Sequence, residues 1–304
     1  MPETIRSIVS QDIEKPEVVV IDDGSTDRTS DIVTQLLGAA QCLRIAHSGR
    51  PSVPRNHGIR HTKSDYIALF DSDDIMMPEK LSKQLAFYEE NPDLGMVFTD
   101  FCRFSGDRDS IGAPVLRSYK AFQACPKMEV APGRYRIAAG TAYEVLLQEN
   151  FVGTSSVMIR RTVLDNIGLF DESLKNSDDR DLWFRIAKSY DIGFMSIVGH
   201  LYRVRAGSVS TATIGAYENR MRVFKRQLLS DDLTPQMRSH IRRRLGEYFF
   251  DMGYLYRLQG DRLRATKTYI QSVAYNPSLR GIIGVVKSIL PATQGKERDG
   301  DIPR

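Results

Sequence analysis

YIALFDSDD, residues 66–74, is the stretch that decides the reading of this chain. A hydrophobic, strand-like run stops at Phe70, and three of the next four residues are aspartates. Like charges this close disfavour their common ionised state unless something positive sits among them. An Asp-x-Asp triplet at a strand end suits a hard divalent cation, which takes oxygen ligands and is commonly shared with substrate phosphates. The competing interpretation is an Asp-rich helix N-terminus, since Pro78 is expected to open a helix running to Asn91. A calcium EF-hand is excluded, because its glycine and distal glutamate are missing.

Working outward, similar units recur. EVVVIDDGSTDRT, from Glu17, reads as a buried strand, an acidic turn and a helix running to Leu37, with Ser25, Thr26 and Asp27 as candidate caps. LRIAH at 43–47 and LGMVFTDF at 94–101 are further strands, and helices are expected over 3–12 and from Pro54 through RNHGIRHT. Alternating strands and helices predict an α/β fold, a mixed and mostly parallel Rossmann-like sheet with ligands at the carboxyl ends of its strands. Between 103 and 140 the periodicity fades, which predicts a long substrate loop. After about 215 the pattern is helical only.

The composition is that of an ordinary folded protein, with 41% hydrophobic and 26% charged residues. Three widely spaced cysteines argue against a disulfide framework. No apolar run approaches the roughly 20 residues of a membrane span, so a cytoplasmic location is expected. The net charge of +4 conceals an asymmetry: from residue 200 onward 19 Lys and Arg face 9 Asp and Glu, giving +10 there and −6 before it. That basic part could meet an anionic membrane surface from the inner side. No nucleic-acid partner is expected.

VVVIDDGSTDRT, PRNHGI at 54–59, YIALFDSDD and NSDDRDLWFRI at 176–186 occur in an order and spacing that strongly resemble glycosyltransferase family 2, the inverting sugar-nucleotide enzymes of the GT-A fold. The resemblance covers residues 1 to about 210. It implies that Asp22 and Asp23 bind the base and ribose of a nucleoside-diphosphate sugar, that Arg55 approaches the diphosphate, and that Asp71 lies near the ribose. It further implies that Asp73, assisted by Asp74, holds Mn2+ or Mg2+, and that Asp179 is the catalytic base. The acceptor would be a sugar or lipid-linked hydroxyl, as in polysaccharide biosynthesis. Asp178 replaces the family's usual glutamate, and in YRVRAGSVS Arg205 stands at a usual histidine position. Trp183 and Phe184 are expected in the core, Asp181 as a helix brace, and His57 and His61 on the surface.

The family normally opens with a strand that would lie beside EVVVID. This chain starts in the following helix, so a misassigned start or truncated gene is expected, with weak or absent activity if the chain is the whole product. The expected division is a GT-A domain over 1–215, a helical tail over 216–291 and a disordered end over 292–304. In the tail, Gly253, Tyr256, Ala265, Tyr269 and Pro277 resemble one tetratricopeptide repeat, a candidate surface for a protein partner. The alternatives are a non-catalytic relic acting as a scaffold through that tail and, with less support, an Asp-x-Asp phosphatase.

Overall fold

The computed structural model describes residues 1–14, 16–106, 110–204 and 213–289. The chain forms two compact units, Met1–Val209 and Ser210–Arg304. In the first, helix α1 (Pro2–Val9) precedes β1 (Val20–Asp22), α2 (Thr29–Leu37), β2 (Cys42–Arg44), α3 (Ser52–His61), β3 (Tyr66–Ala68) and β4 (Ile75–Met76). Then come α4 (Lys80–Glu90), β5 (Met96–Phe104), α5 (Lys120–Ala124), β6 (Met128–Ala131), β7 (Arg134–Ile137) and α6 (Ala139–Gln148). Strand β8 (Met158–Arg160), α7 (Arg161–Ile167), α8 (Asp178–Ser189) and β9 (Ile192–Arg203) complete it.

The mixed α/β architecture with flanking helices is as the sequence predicts, but the strand directions differ from a mostly parallel sheet. Among the described residues β1–β2 and β5–β9 pair in parallel, whereas β3–β8, β5–β8, β4–β9, β7–β9 and β6–β7 are antiparallel. Hydrophobic periodicity reports burial and is silent on direction, so the return strand β8 between β3 and β5 could not be seen in it. The sheet is also interrupted: β1 and β2 form a two-stranded piece, and the order β3-β8-β5-β9-β7-β6 forms the larger one, with β4 on β9.

Two local expectations need correction. Residues 103–140 are not a featureless loop; they carry the end of β5, helix α5 and the hairpin β6–β7. Strand β6 is largely exposed, so it lacks the alternation that marks a buried strand. Its readable signal was Pro132-Gly133 between two short β-prone runs, with Gly133 at φ +71°. Nor does Pro78 open a helix. Helix α4 starts at Lys80, after Glu79 at φ +60°.

The core lies under β5 and α4. Phe87, Tyr88, Val97 and Met195 pack there with Met158, and Tyr66, Phe70 and Ile8 close its margin. The second unit stacks α9 (Ile214–Gln227), α10 (Pro235–Leu258), α11 (Arg262–Tyr275) and α12 (Leu279–Ile289). Thr213, Thr234 and Asp261 cap the first three of these helices with their side-chain oxygens. The stretch assigned to a disordered end falls outside the described residues, apart from its approach at 279–289. Among the described residues, no helix is long and apolar enough to cross a membrane.

Candidate active site

The acidic loop after β3 is built from beneath. Asp74 is fully buried. Its Oδ2 accepts the Ser155 hydroxyl at 2.6 Å and its Oδ1 the Arg203 backbone N–H at 3.0 Å, while His200 Nε2 lies 3.9 Å away. Burial, only partly offset by these hydrogen bonds, pushes its carboxyl up to about 7. Ser155 Oγ also accepts the Asp71 N–H at 3.1 Å, and Arg203 Nε donates to the Asp73 carbonyl at 2.9 Å. Both oxygens of Asp74 are thus spent on shaping the loop. Buried and bonded in this way, Asp74 supports the loop that presents Asp71 and Asp73.

Asp71 and Asp73 remain partly exposed. Among the described residues no group of three or more Asp, Glu, His or Cys side chains forms a protein-only metal cage. A cation shared with phosphates needs only one or two carboxylates.

The positive group demanded by the aspartates is Arg55. From α3 its Nη2 donates to Asp71 Oδ1 at 2.8 Å and its Nη1 to Asp178 Oδ2 at 3.0 Å. Burial works against its charge, but Asp71 and Asp178 outweigh that and raise its pKa further. A phosphate would have to be met by its remaining N–H groups, since guanidinium carries five. Arg55 is held in place by the next residue. Asn56 Nδ2 donates to the Phe170 carbonyl and to Glu172 at 2.9 and 2.8 Å, and its Oδ1 accepts the Phe170 N–H at 3.0 Å.

Asp178 and Asp179 open α8 immediately after Ser177, which sits at φ +61°. Ser177 and Glu79 are the two non-glycine residues with positive φ among those described, and each precedes a helix beside this loop system. Asp178 is buried; burial pushes its carboxyl up to about 6, against the pull of Arg55. Asp179 is half-buried and close enough to add to the charge stabilisation of Arg55. Asp181 accepts Arg185 Nε at 3.0 Å, and Trp183 and Phe184 are fully buried in the core. His57 and His61 are exposed.

At the far end, Asp22 is also buried. Its Oδ1 accepts the Ser25 N–H at 2.8 Å and its Oδ2 the Ser30 hydroxyl at 2.5 Å. These bonds make Asp22 a support of the turn. Asp23 receives Ser48 N–H at 2.8 Å, Ser48 Oγ at 3.0 Å and Gly49 N–H at 3.2 Å, and keeps some exposure. The turn needs Gly24, at φ +72°, because a Cβ there would lie 2.8 Å from the His47 nitrogen. Arg205 lies outside the described residues.

Ser155, Arg203 and His200 were not foreseen. Arg203 stands in YRVR two residues before Arg205; Ser155 and His200 carry no local signal.

Two acidic loops joined through one arginine, on a sheet of this topology, define a GT-A-type transferase framework. The profile of Glycosyl transferase family 2 matches residues 1–147, so the first unit carries a domain similar to that family, and the chain is a glycosyltransferase. It is 27% identical over 209 residues to the UDP-Glc:alpha-D-GlcNAc-diphosphoundecaprenol beta-1,3-glucosyltransferase WfaP of Escherichia coli, covering 68% of this chain and 73% of that protein. Its fold is similar to that of S. aureus TarS, with a TM-score of 0.65 at 19% identity over 94% of this chain, which spans only 51% of TarS. It is also similar to the mannosyltransferase PcManGT from Pyrobaculum calidifontis, solved with GDP-Man and Mn2+, with a TM-score of 0.55 at 15% identity, covering 94% and 74% of the two chains.

Proposed function

We propose that this glycosyltransferase is metal-dependent and inverting, moving a sugar from a nucleoside-diphosphate sugar to a hydroxyl of a sugar or lipid-linked acceptor. The observation that carries this reading is the Arg55 bridge, which brings the Asp71 loop and the start of α8 to one place. Asp73, with Asp71, would hold Mn2+ or Mg2+, which supplies positive charge against the departing diphosphate. Asp179 takes the proton of the acceptor hydroxyl as its oxygen bonds to the anomeric carbon and the bond to the diphosphate breaks. Asp23 meets an N–H of the base, as an acceptor-only group suits. A lipid-linked acceptor is supported by the name of the WfaP relative, and it would draw the protein to the inner face of the membrane. The basic helices of the second unit suit that surface. The tetratricopeptide-like α10–α11 pair, in which Gly253 lies against the Tyr269 ring, offers a further contact for a protein partner.

Thermal melting with UDP or GDP, with and without Mn2+, tests the donor end. The expected result is a rise in Tm that requires both nucleotide and metal and vanishes in Asp73→Ala. A rise independent of metal, or one retained in that variant, would sink the reading. Screening nucleotide sugars for metal-dependent hydrolysis then identifies the donor.

A further inference from the structure

Helix α12 of the second unit turns its small residues to its neighbour and its large ones outward. A Cβ on Gly284 would lie 2.6 Å from the Tyr269 ring of α11, and one on Gly281 would lie 2.8 Å from Val273. Ser288 Oγ shares a hydrogen bond with Thr266 Oγ1 at 2.8 Å. By contrast, Leu279, Ile282, Ile283, Val286 and Ile289 are 44–74% exposed. At roughly 100° per residue these five fill one arc of about 120°, opposite the glycines. A helix of a globular protein normally turns such a stripe to its core. Leu263 and Ile270 of α11, one turn ahead of Thr266 and Val273 and so on the same flank, are exposed as well.

Charge decides between the possible occupants of this stripe. From Arg262 to Ile289 the chain carries five basic residues, Arg262, Arg264, Lys267, Arg280 and Lys287, and no acidic one. All five are exposed. Arg280 and Lys287, two turns apart, share one flank of the apolar arc, and Arg280 lies over the Phe250 ring at 4.0 Å. A second copy of this chain is a poor occupant, because a two-fold contact sets the same positive patches face to face. Aliphatic side chains edged by cations alone match the boundary between acyl chains and anionic headgroups. With 11 residues, α12 is about 16 Å long at roughly 1.5 Å per residue, enough to lie on a bilayer and too short to cross it.

We infer that the outer face of α12, with Leu263 and Ile270 beside it, docks on the anionic surface of a lipid bilayer. The aliphatic side chains enter the boundary below the headgroups, while Arg280 and Lys287 keep their charges at the lipid phosphates. Arg262, Arg264 and Lys267 add attraction over about a Debye length. The use of this surface rests on the proposed reading, in which a lipid-linked acceptor draws the protein to a membrane; its existence rests on α12. Vesicle binding without nucleotide or acceptor therefore tests the surface, and melting with nucleotide and Mn2+ tests the transferase reading separately.

The experiment is co-sedimentation of the full chain with phosphatidylcholine vesicles, with and without roughly one-third phosphatidylglycerol. Expected is saturable binding to the anionic vesicles, weaker by about tenfold or more on the neutral ones and at about 0.5 M salt. A chain carrying both Ile282→Gln and Val286→Gln should bind the anionic vesicles about tenfold or more weakly. Its Tm and its response to nucleotide with Mn2+ should be unchanged, since both side chains stand about half in solvent. Equal binding to the two kinds of vesicle, binding retained in the double variant, or no binding to either overturns the proposal. So does a concentration-dependent oligomer in sedimentation velocity that the double variant abolishes, because the stripe would then cover a second copy.

Discussion

The two acidic loops of this protein sit on very different supports. The Asp71–Asp74 loop rests on β5, nine residues long and buried at all but one position, and on the twelve-residue β9. Ser155 and Arg203 reach it from that body. The Asp22–Asp23 loop rests on β1 and β2, three residues each, with one buried residue between them. Its shape comes from local hydrogen bonds to Ser25, Ser30 and Ser48. On the proposed reading, the phosphate and chemistry end is thus fixed by core packing, and the base end by short-range polar contacts. Bond-making tolerates little displacement, whereas base recognition by a few hydrogen bonds tolerates more.

The sharpest test of that contrast is Asp179→Asn. The side chain keeps its size but loses the ability to take a proton. Transfer is expected to fall by about 10²- to 10⁴-fold, with Tm and metal-dependent nucleotide binding unchanged. A variant that instead loses nucleotide binding would make Asp179 a structural residue of α8. Next in size is Phe98→Ala on β5. Its ring lies 5.2–6.0 Å from those of Phe194, Phe151 and Phe122, with no exposure. A loss of about 3–5 kcal/mol in denaturant melts is expected for such a truncation.

Much of this arrangement was legible in the sequence. YIALF and LGMVF announced buried strands by composition, and Asp71 to Asp74 announced a site by a charge density that a helix cap does not require. What the sequence hid were orientations. Asp74 and Asp73 are adjacent identical letters, yet one points down to Ser155 and is buried while the other stays partly exposed. The same holds for Asp22 against Asp23. Lys80, a charged residue in the helix expected from Pro78, proves wholly buried, its Nζ on Gln84 Oε1 at 2.9 Å. Tertiary placement decides such matters, and hydrophobic periodicity carries no signal for it.

That buried lysine gives the third prediction. Burial lowers the Lys80 ammonium to about 7, from an ordinary 10.5. Between these values the unfolded chain binds the proton and the folded chain does not, so stability rises with pH through that window. Lys80→Met removes the dependence. It should be more stable than the native chain at pH 7, and the gap should close by about 3 kcal/mol toward pH 10. Parallel melts of the two proteins measure it; a constant gap would mean that Lys80 stays charged in the core.

The smallest expected effect is the most informative about the weak half. Ile21→Ala removes a side chain from β1 that is only half-buried. Being half-buried, it loses fewer dispersion contacts than Phe98, and a cost of about 1 kcal/mol is expected, well below that of Phe98→Ala. A cost equal to that of Phe98→Ala would erase the contrast between the two supports.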